Sequence, residues 1–480
     1  MMPMFEALFP HLNPLYDRAS RDAFLRMVTH DYWSRTWVIQ EIICGKQVSI
    51  LYGEHYVDWE LLSSAAFLLK TKKDMSNMLL EGFDEARSAV ILSAVSCIFS
   101  VRLLQRVLAS GSQLPLSTIL LNTGYSEASL PQDKVVALVG LSSDADHPDL
   151  QPNHELAVEQ VYQKVTTHSL RQGSFALLSI AGLANRELYG STISGLPSWV
   201  PDFSSSGLLP SLDHPFWPYR SGGPWAEANI VIENEYDAPL PNRLGVKGMV
   251  IGRIAVMSTL HVQPSRWKAF SLSDTRSTMD WSSRSANEGS INYIGEQLQP
   301  ESDFHYEIWE MVPAHCPEPY LLPNGVSMPL HEALFRTVVG NMDMEHEITY
   351  PAPEELGRGY AVFQSACKAL RRGDFASRVK ELQANRWDWH CFHKVISRMR
   401  KTTCPFVVTD EGHMGAVVAG AKVGDLVCIF RGAKVPYILR PNKDDDQGTM
   451  QLVCPSYIHG FMDGEAIECG KYEETWIQIV

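Results

Sequence analysis

The stretch "RDAFLRMVTHDYWSRTWVIQEII" places Phe24, Leu25, Val28, Tyr32, Trp33, Val38 and Ile42 close to a 3.6-residue repeat. That period predicts an amphipathic helix, with Gly45 as its C-terminal cap. "KQVSILYG" then alternates as a short strand does, and Asp58 supplies an N-cap ahead of the helical "WELLSSAAFLLK". Two further periodic segments, near 84–108 and 154–172, read as helices. Residues 1–180 are therefore expected to form an α-rich block with at least one strand.

The texture changes over residues 181–330. "SGLPSWVPDFSSSGLLPSLDHPFWPYRSGGPW" concentrates Pro, Gly, Ser and Trp, a mixture that interrupts helix and strand alike. Inside this region "NRLGVKGMVIGRIAVM" reads as a strand pair and "SLSDTRSTMDWSSRSANEGS" as a long polar loop. Residues 331–403 return to helix in "ELGRGYAVFQSACKALRR" and "SRVKELQANRWDWHCFHKVISRMRK". From 404 to 480, "PFVVTDEGHMGAVV", "DLVCIFRG", "KVPYILRP", "MQLVCPSYI" and "ETWIQIV" are short β-prone runs parted by Gly, Asp, Asn and Pro. They predict a small β-barrel or curled sheet, with "NKDDDQG" as a solvated turn. The fold class expected is α+β, with an α-rich start, a loop-rich middle and a C-terminal β unit.

Composition narrows the function classes. At 480 residues and 53.8 kDa the chain has room for two or three domains, and 45% apolar with 20% charged residues is the balance of a folded protein. A net charge of −14 with no basic run argues against nucleic acid as a partner. The start "MMPMFEALFPHLNPLYD" lacks the layout of a secretory signal and no window reads as 18 apolar residues, so a cytoplasmic protein without a membrane span is expected. The nine cysteines are odd in number and free of C-x-x-C, which suits reduced thiols. The densest metal-like cluster, His390, Cys391 and His393 with Cys404 further on, has no second pair at finger spacing, and no metal or cofactor is expected. Standard nucleophile-elbow, zincin, Walker A and dinucleotide motifs are absent.

Six ordered blocks carry a family resemblance: "WSRTWVIQEI" (33–42), "DKVVALVGL" (133–141), "LPSWVPDFS" (196–204), "LFRTVVGN" (334–341), "VGDLVCIFRGAKVPYILRP" (423–441) and "YIHGFMDGEAI" (457–467). Together they resemble the signature blocks of fungal heterokaryon-incompatibility (HET) domain proteins. The resemblance implies an intracellular fungal protein whose relatives act in nonself recognition and cell death. It also implies a distant likeness to TIR signalling domains, in which a Trp-x-x-x-Glu arrangement carries the glutamate used for NAD cleavage. Trp37 and Glu41 have that spacing, which sets an aromatic wall beside a carboxylate on one helix face. The family's opening blocks of type "LSYxWG" and "WIDxxCIxQ" do not occur in the 32 residues before Trp33. The first block is thus expected to be an N-terminally shortened remnant without the nucleotide-holding sheet, and a carboxylate without its pocket loses most of its rate advantage.

In that setting Trp33 and Trp37 are expected to pack inward, with Arg35, Gln40 and Glu41 making structural hydrogen bonds. Asp133 reads as an N-cap or a turn residue, and Trp199 between two prolines as a plug over a core. His459, Asp463 and Glu465, set among glycines, are candidate acid–base groups. Three readings survive: a HET-type recognition and death-signalling protein, a reused scaffold binding an apolar small molecule in secondary metabolism, and a non-catalytic interaction protein with protein partners. The sequence leans to the second. Trp199, Phe203, Phe216, Trp217, Tyr219 and Trp225 on Pro/Gly loops would wall an apolar substrate pocket, and shape alone can drive a cofactor-independent cyclisation or cycloaddition. Its candidate catalytic residues are Glu41, His459 and Asp463, with Trp37, Trp199, Phe203, Trp217 and Trp225 binding substrate.

Overall fold

The first periodic run folds as two helices, α1 (Arg18–Val28) and α2 (Thr36–Cys44), parted by a 3-10 turn at Asp31–Ser34. The single helix expected there is broken at Arg35, whose extended backbone pairs with Glu127. The Thr36 amide donates to Glu127 O at 2.9 Å and the Glu127 amide to Ser34 O at 2.5 Å. A long-range pairing outweighs local periodicity. The chain is seen here as a computed structural model that describes residues 18–71, 73–80, 82–153, 155–191, 193–205, 218–224, 230–233, 242–259, 288–343, 348–402, 404–442, 445 and 447–480.

After α2 comes a hairpin, β1 (Ser49–Tyr52) and β2 (His55–Asp58), closed by the two-residue turn Gly53–Glu54. Asp58 caps the next helix, α3 (Trp59–Thr71), its carboxylate accepting from the Glu60 amide at 2.7 Å. The block continues through α4 (Lys73–Leu80), α5 (Glu85–Ala109), α6 (Leu116–Thr123), α7 (Asp133–Val139), α8 (Val158–Arg171) and α9 (Leu183–Tyr189). Among the described residues of this block the hairpin is the only sheet. One correction concerns membrane spans. Val90–Ala109 of α5 is long and apolar enough to cross a bilayer. Here Ile91, Val95, Ile98, Val101 and Leu104 of that stretch are buried in the core, and the buried Arg102 guanidinium donates to Ser63 and, at 3.2 Å, to Glu60.

Residues 243–257 form one strand, β4 (Arg243–Met257), where a strand pair was expected. β3 (Ile230–Glu233) lies against its first half. Register slips at Ile251 and at Ala255 bend β4, so that it pairs with one neighbour over Gly248–Arg253 and another over Ile254–Met257. Between β4 and the C-terminal strands lies a helical segment: α10 (Glu288–His315), the small hairpin β5 (Tyr320–Leu321) and β6 (Ser327–Met328), then α11 (Leu330–Val338), α12 (Glu354–Arg372), α13 (Phe375–Ala384) and α14 (Arg386–Thr402). α10 was not foreseen, since the polar loop was expected to run to residue 290; the segment 260–287 lies outside the described residues.

The C-terminal strands are β7 (Phe406–Thr409), β8 (Met414–Val417), β9 (Leu426–Phe430), β10 (Tyr437–Pro441) and β11 (Met450–Ile458), followed by the short helix α15 (Glu465–Glu468) and β12 (Glu474–Ile479). Pairing runs β4–β9–β10–β11–β8–β7 and back to β4, a closed six-stranded barrel. Residues 404–480 thus do not close alone: β4 is the sixth stave, and β12 lies antiparallel along Leu244–Met249 of β4. Closure leaves no free edge in the ring. Along β9, Val427 and Ile429 point into the barrel core while Leu426, Cys428 and Phe430 join the core shared with the N-terminal block. Both faces are buried, which explains an unbroken apolar run in place of alternation. The helical segment builds its own core around Phe363, Phe392, Val379 and Ile308 and shares Phe406, Val408 and Met414 with the barrel. Each fully buried side chain of this size contributes roughly 1.5–3 kcal/mol.

Candidate functional site

Two of the signature blocks meet at one end of the barrel. β11 ends on Tyr457 and Ile458, and His459–Glu465 turns back across the strand ends into α15. The turn needs Gly460 in the left-handed region at φ +85°, where an added Cβ would also lie 2.8 Å from Leu322 Cδ2. Rings run in contact from Tyr350 through Tyr219 and Tyr457 to His459 and Tyr320, with successive centroids 5.6, 5.9, 6.4 and 5.8 Å apart. Three of the four hydroxyls bond to the 459–463 turn and the fourth, from Tyr219, just past the end of α11. Tyr219 donates to Gly340 O at 2.7 Å, Tyr320 to His459 O at 3.2 Å, and Tyr350 to the Asp463 carboxylate; Tyr457 Oη lies 3.0 Å from His459 Nδ1. From α11, Arg336 donates to Asn341 Oδ1 and Ala352 O and pairs with Glu332 at 2.9 Å.

Burial, and then the Arg336 charge, pushes His459 down to about 3, so its ring is neutral; Nε2 is buried with no hydrogen-bond partner. Burial pushes Glu465 the other way, up to about 7, although its carboxylate accepts from the Asp463 amide at 2.7 Å. Tyr350 and Tyr457 are raised far above the ordinary phenol value, burial being the main cause. The cluster pairs a neutral imidazole with a carboxyl that titrates near neutrality, which is acid–base potential. No group of three metal-ligating side chains that could hold an ion occurs among the described residues.

The Trp37–Glu41 face belongs to a different part of the molecule. Trp33 packs inward as expected, stacked on Trp59 at 6.1 Å with its indole N–H donating to Met27 O at 2.8 Å. Trp37 does not: it is 37% exposed and its indole N–H donates to Asp133 Oδ2 at 3.1 Å. Asp133 is the first residue of α7, with Gln132 at the N-cap position, and its carboxylate accepts from Trp37. Glu41 is exposed and accepts from the Tyr32 hydroxyl at 3.3 Å. Behind this face Lys134 is buried, donates to Ser126 O, and is pulled down to about 8 by burial.

The expected aromatic pocket is not what Trp199 and Phe203 build. Trp199 is 0% exposed and donates to Asn242 O at 3.3 Å, while Phe203 packs edge-on to Tyr162 at 5.0 Å, so both are core. The "LPSWVP" loop is stapled down. Arg186 donates to the carbonyls of Leu196, Pro197 and Val200, and Ser198 Oγ donates to Val480 O while accepting from the Leu452 amide at 2.8 Å. Asp202 is buried, accepting from Ser191, Ser204 and the Ile193 amide. Phe216, Trp217 and Trp225 lie outside the described residues. Of the residues picked from sequence, His459, Asp463, Glu465 and Tyr219 come together; Trp37 and Glu41 sit on the α2 face, and Trp199 and Phe203 in the core. Tyr350 and Tyr320 were missed because neither lies in a signature block, whereas Arg336 and Tyr457 stand inside two of them.

Residues 354–477 match the family model of the Het-6 beta-barrel domain. Over 484 aligned residues the chain is 20% identical to the heterokaryon incompatibility protein 6, OR allele, of Neurospora crassa, covering 95% of this chain and 67% of that protein. No solved structure matches. Residues 354–477 thus resemble a Het-6 beta-barrel domain, and over its length the chain is HET-domain-like in its similarity to that protein.

Proposed function

We propose that this chain is a heterokaryon-incompatibility-type recognition protein that works through protein contacts. The observation that carries the reading is the similarity over 95% of the chain to a protein named for heterokaryon incompatibility. The geometry is in keeping with it. The aromatic residues expected to wall an apolar pocket are packed as core where they are described, so the cyclase reading loses its structural support. Glu41, offered for NAD cleavage, is exposed, and its aromatic neighbour is already bonded to Asp133. The His459–Asp463 cluster acts here as a joint, tying Gly340 and Tyr350 to the barrel end by hydroxyls and an edge-on ring pair.

The test is forced expression of the chain in fungal strains that differ at incompatibility loci. Growth arrest or death in some genetic backgrounds and not in others is the expected result. Uniform tolerance, or conversion of an added terpenoid or polyketide substrate by the purified protein, would overturn the reading. Release of nicotinamide from NAD by wild type, lost in Glu41→Ala, would replace it with a catalytic one.

A further inference from the structure

The turn that follows β11 carries three carboxyl groups, Asp463, Glu465 and Glu468, of which Asp463 and Glu468 are exposed and Glu465 is half-buried. Phe461 and Met462 before the turn and Ala466 within α15 are buried and pin it on both sides. Between those pins the Asp463 carboxylate accepts from the Tyr350 hydroxyl, and Glu465 Oε2 accepts from the Asp463 amide at 2.7 Å. The charges bearing on the Glu465 carboxyl are those of Asp463 and Glu468, both of like sign. The segments packed around it bring phenols: Tyr350 and Tyr457 feel its charge, and Tyr219 donates elsewhere, to Gly340 O. Arg220 is exposed and reaches the turn through its backbone amide, which donates to Met462 O at 2.7 Å. The Arg336 guanidinium of α11 bears on His459, whose ring stays neutral far below pH 7.

We propose that this turn is a pH-operated latch. Ionisation of Glu465 turns Asp463 away from the Tyr350 hydroxyl and frees the barrel end from the 348–352 segment, while the barrel stays folded. Burial keeps Glu465 protonated up to about 7, and in that form it lies beside Asp463 without repulsion. Once ionised it must stay half-buried beside two like charges or reach water, and a rotation of Asp463–Glu465 between the buried pins suffices for the second. α15 is only four residues long and Asp463 and Glu468 already lie at the surface, so this opening costs far less than unfolding. In the open turn Glu465 regains its ordinary 4.5. Each unit of pH from about 5 to about 7 therefore favours opening about tenfold, and the gain levels off above that. The latch does not depend on a role in incompatibility.

Hydrogen exchange of the whole chain at about pH 5, 6, 7 and 8, corrected for the intrinsic pH dependence of amide exchange, tests it. The reporters are the Asp463 amide, bonded to Glu465 Oε2, and the Ile467 and Glu468 amides, bonded to Gly464 O. In wild type their protection should fall about tenfold per unit from about pH 5 to 7 and flatten by 8, while the amides of β9 stay at least about tenfold better protected at every pH. Glu465→Gln should abolish the slope, since the titrating group is gone. Tyr350→Phe should lower protection about tenfold already at pH 5, because the latch has lost its donor. Protection independent of pH in wild type, a slope that survives Glu465→Gln, reporter amides that exchange in step with β9, or wild-type protection in Tyr350→Phe would overturn the latch.

Discussion

The Trp37 indole N–H donates to the Asp133 carboxylate at 3.1 Å, across 96 positions of sequence, and so joins the first two signature blocks on the surface. α2 and α7 are held together at that point, which gives the tryptophan a structural task that its spacing from Glu41 does not reveal. Trp37→Phe and Asp133→Asn should each cost about 0.5–1.5 kcal/mol in urea unfolding, the usual worth of such a bond. Glu41→Gln should lie within about 0.5 kcal/mol of wild type, as is normal for an exposed side chain. A Glu41 effect several times that of Trp37→Phe would contradict this assignment.

Tyr350 anchors the 341–352 stretch to the barrel through the Asp463 carboxylate, while its ring packs edge-on against Tyr219 at 5.6 Å. Tyr350→Phe keeps the ring and removes only the donor. It should lower stability by about 1.5–3 kcal/mol, the range for a hydrogen bond to a charged group. Asp463→Asn, which keeps an acceptor but loses the charge, should cost less. A double variant no less stable than Tyr350→Phe alone would show one shared contact; additive losses would show that the two side chains act separately.

What could be read from sequence follows from how local its cause is. The apolar run "LVCIF" between glycines announced a strand, and β9 is one, because its cause lies in consecutive residues; that both its faces are buried emerged only from the fold. The share of β4 in the barrel was hidden. Its barrel partners β7 and β9 lie 150 or more positions away, and the bends at Ile251 and Ala255 arise only once those partners are in place. His459 and Asp463 were marked by the glycines around them, but Tyr350 and Tyr320 come from segments whose texture is ordinary. Trp199 looked available for binding because prolines flank it, yet the Arg186 and Ser198 hydrogen bonds that press its loop into the core come from residues no local pattern connects.

Stability should fall on both sides of neutrality, for opposite reasons. His459 at about 3 lies below its ordinary 6.5, so the unfolded chain binds the extra proton. Its contribution is intact above 6.5 and is lost as pH falls from there toward 3. His305 at about 3 and His413 at about 4, both depressed by burial, act in the same direction. Glu465 at about 7 lies above its ordinary 4.5, so its contribution is full below 4.5 and is lost as pH rises through 7. Glu465→Gln should therefore gain on wild type as pH rises from 5 to 8. Urea midpoints at pH 5, 6.5 and 8 check this, and a Gln-minus-Glu difference independent of pH would refute it.

Arg440 grips Asp425 at two points, Nε to Oδ1 at 2.9 Å and Nη2 to Oδ2 at 2.8 Å, and the same Nη2 donates to Gly420 O at 2.9 Å. Both residues belong to the long signature block. The pair spans β9 to β10 and fixes the loop ahead of β9, where the Lys422 amide also donates to Asp425 at 2.8 Å. Asp425 is buried, and among the described residues its carboxylate accepts from this guanidinium and that amide. Removing one partner of a buried pair leaves the other uncompensated, which costs more than the pair itself contributes. Arg440→Met should cost about 3–5 kcal/mol by stranding the carboxylate, and Arg440→Lys, which keeps charge but loses the two-point geometry, should recover only part of that. The double variant Arg440→Met with Asp425→Asn should be more stable than Arg440→Met alone, since the stranded charge is gone. Chemical denaturation of the three variants measures the ordering, and a double variant weaker than the Arg440→Met single would mean that Asp425 is held by contacts other than the guanidinium.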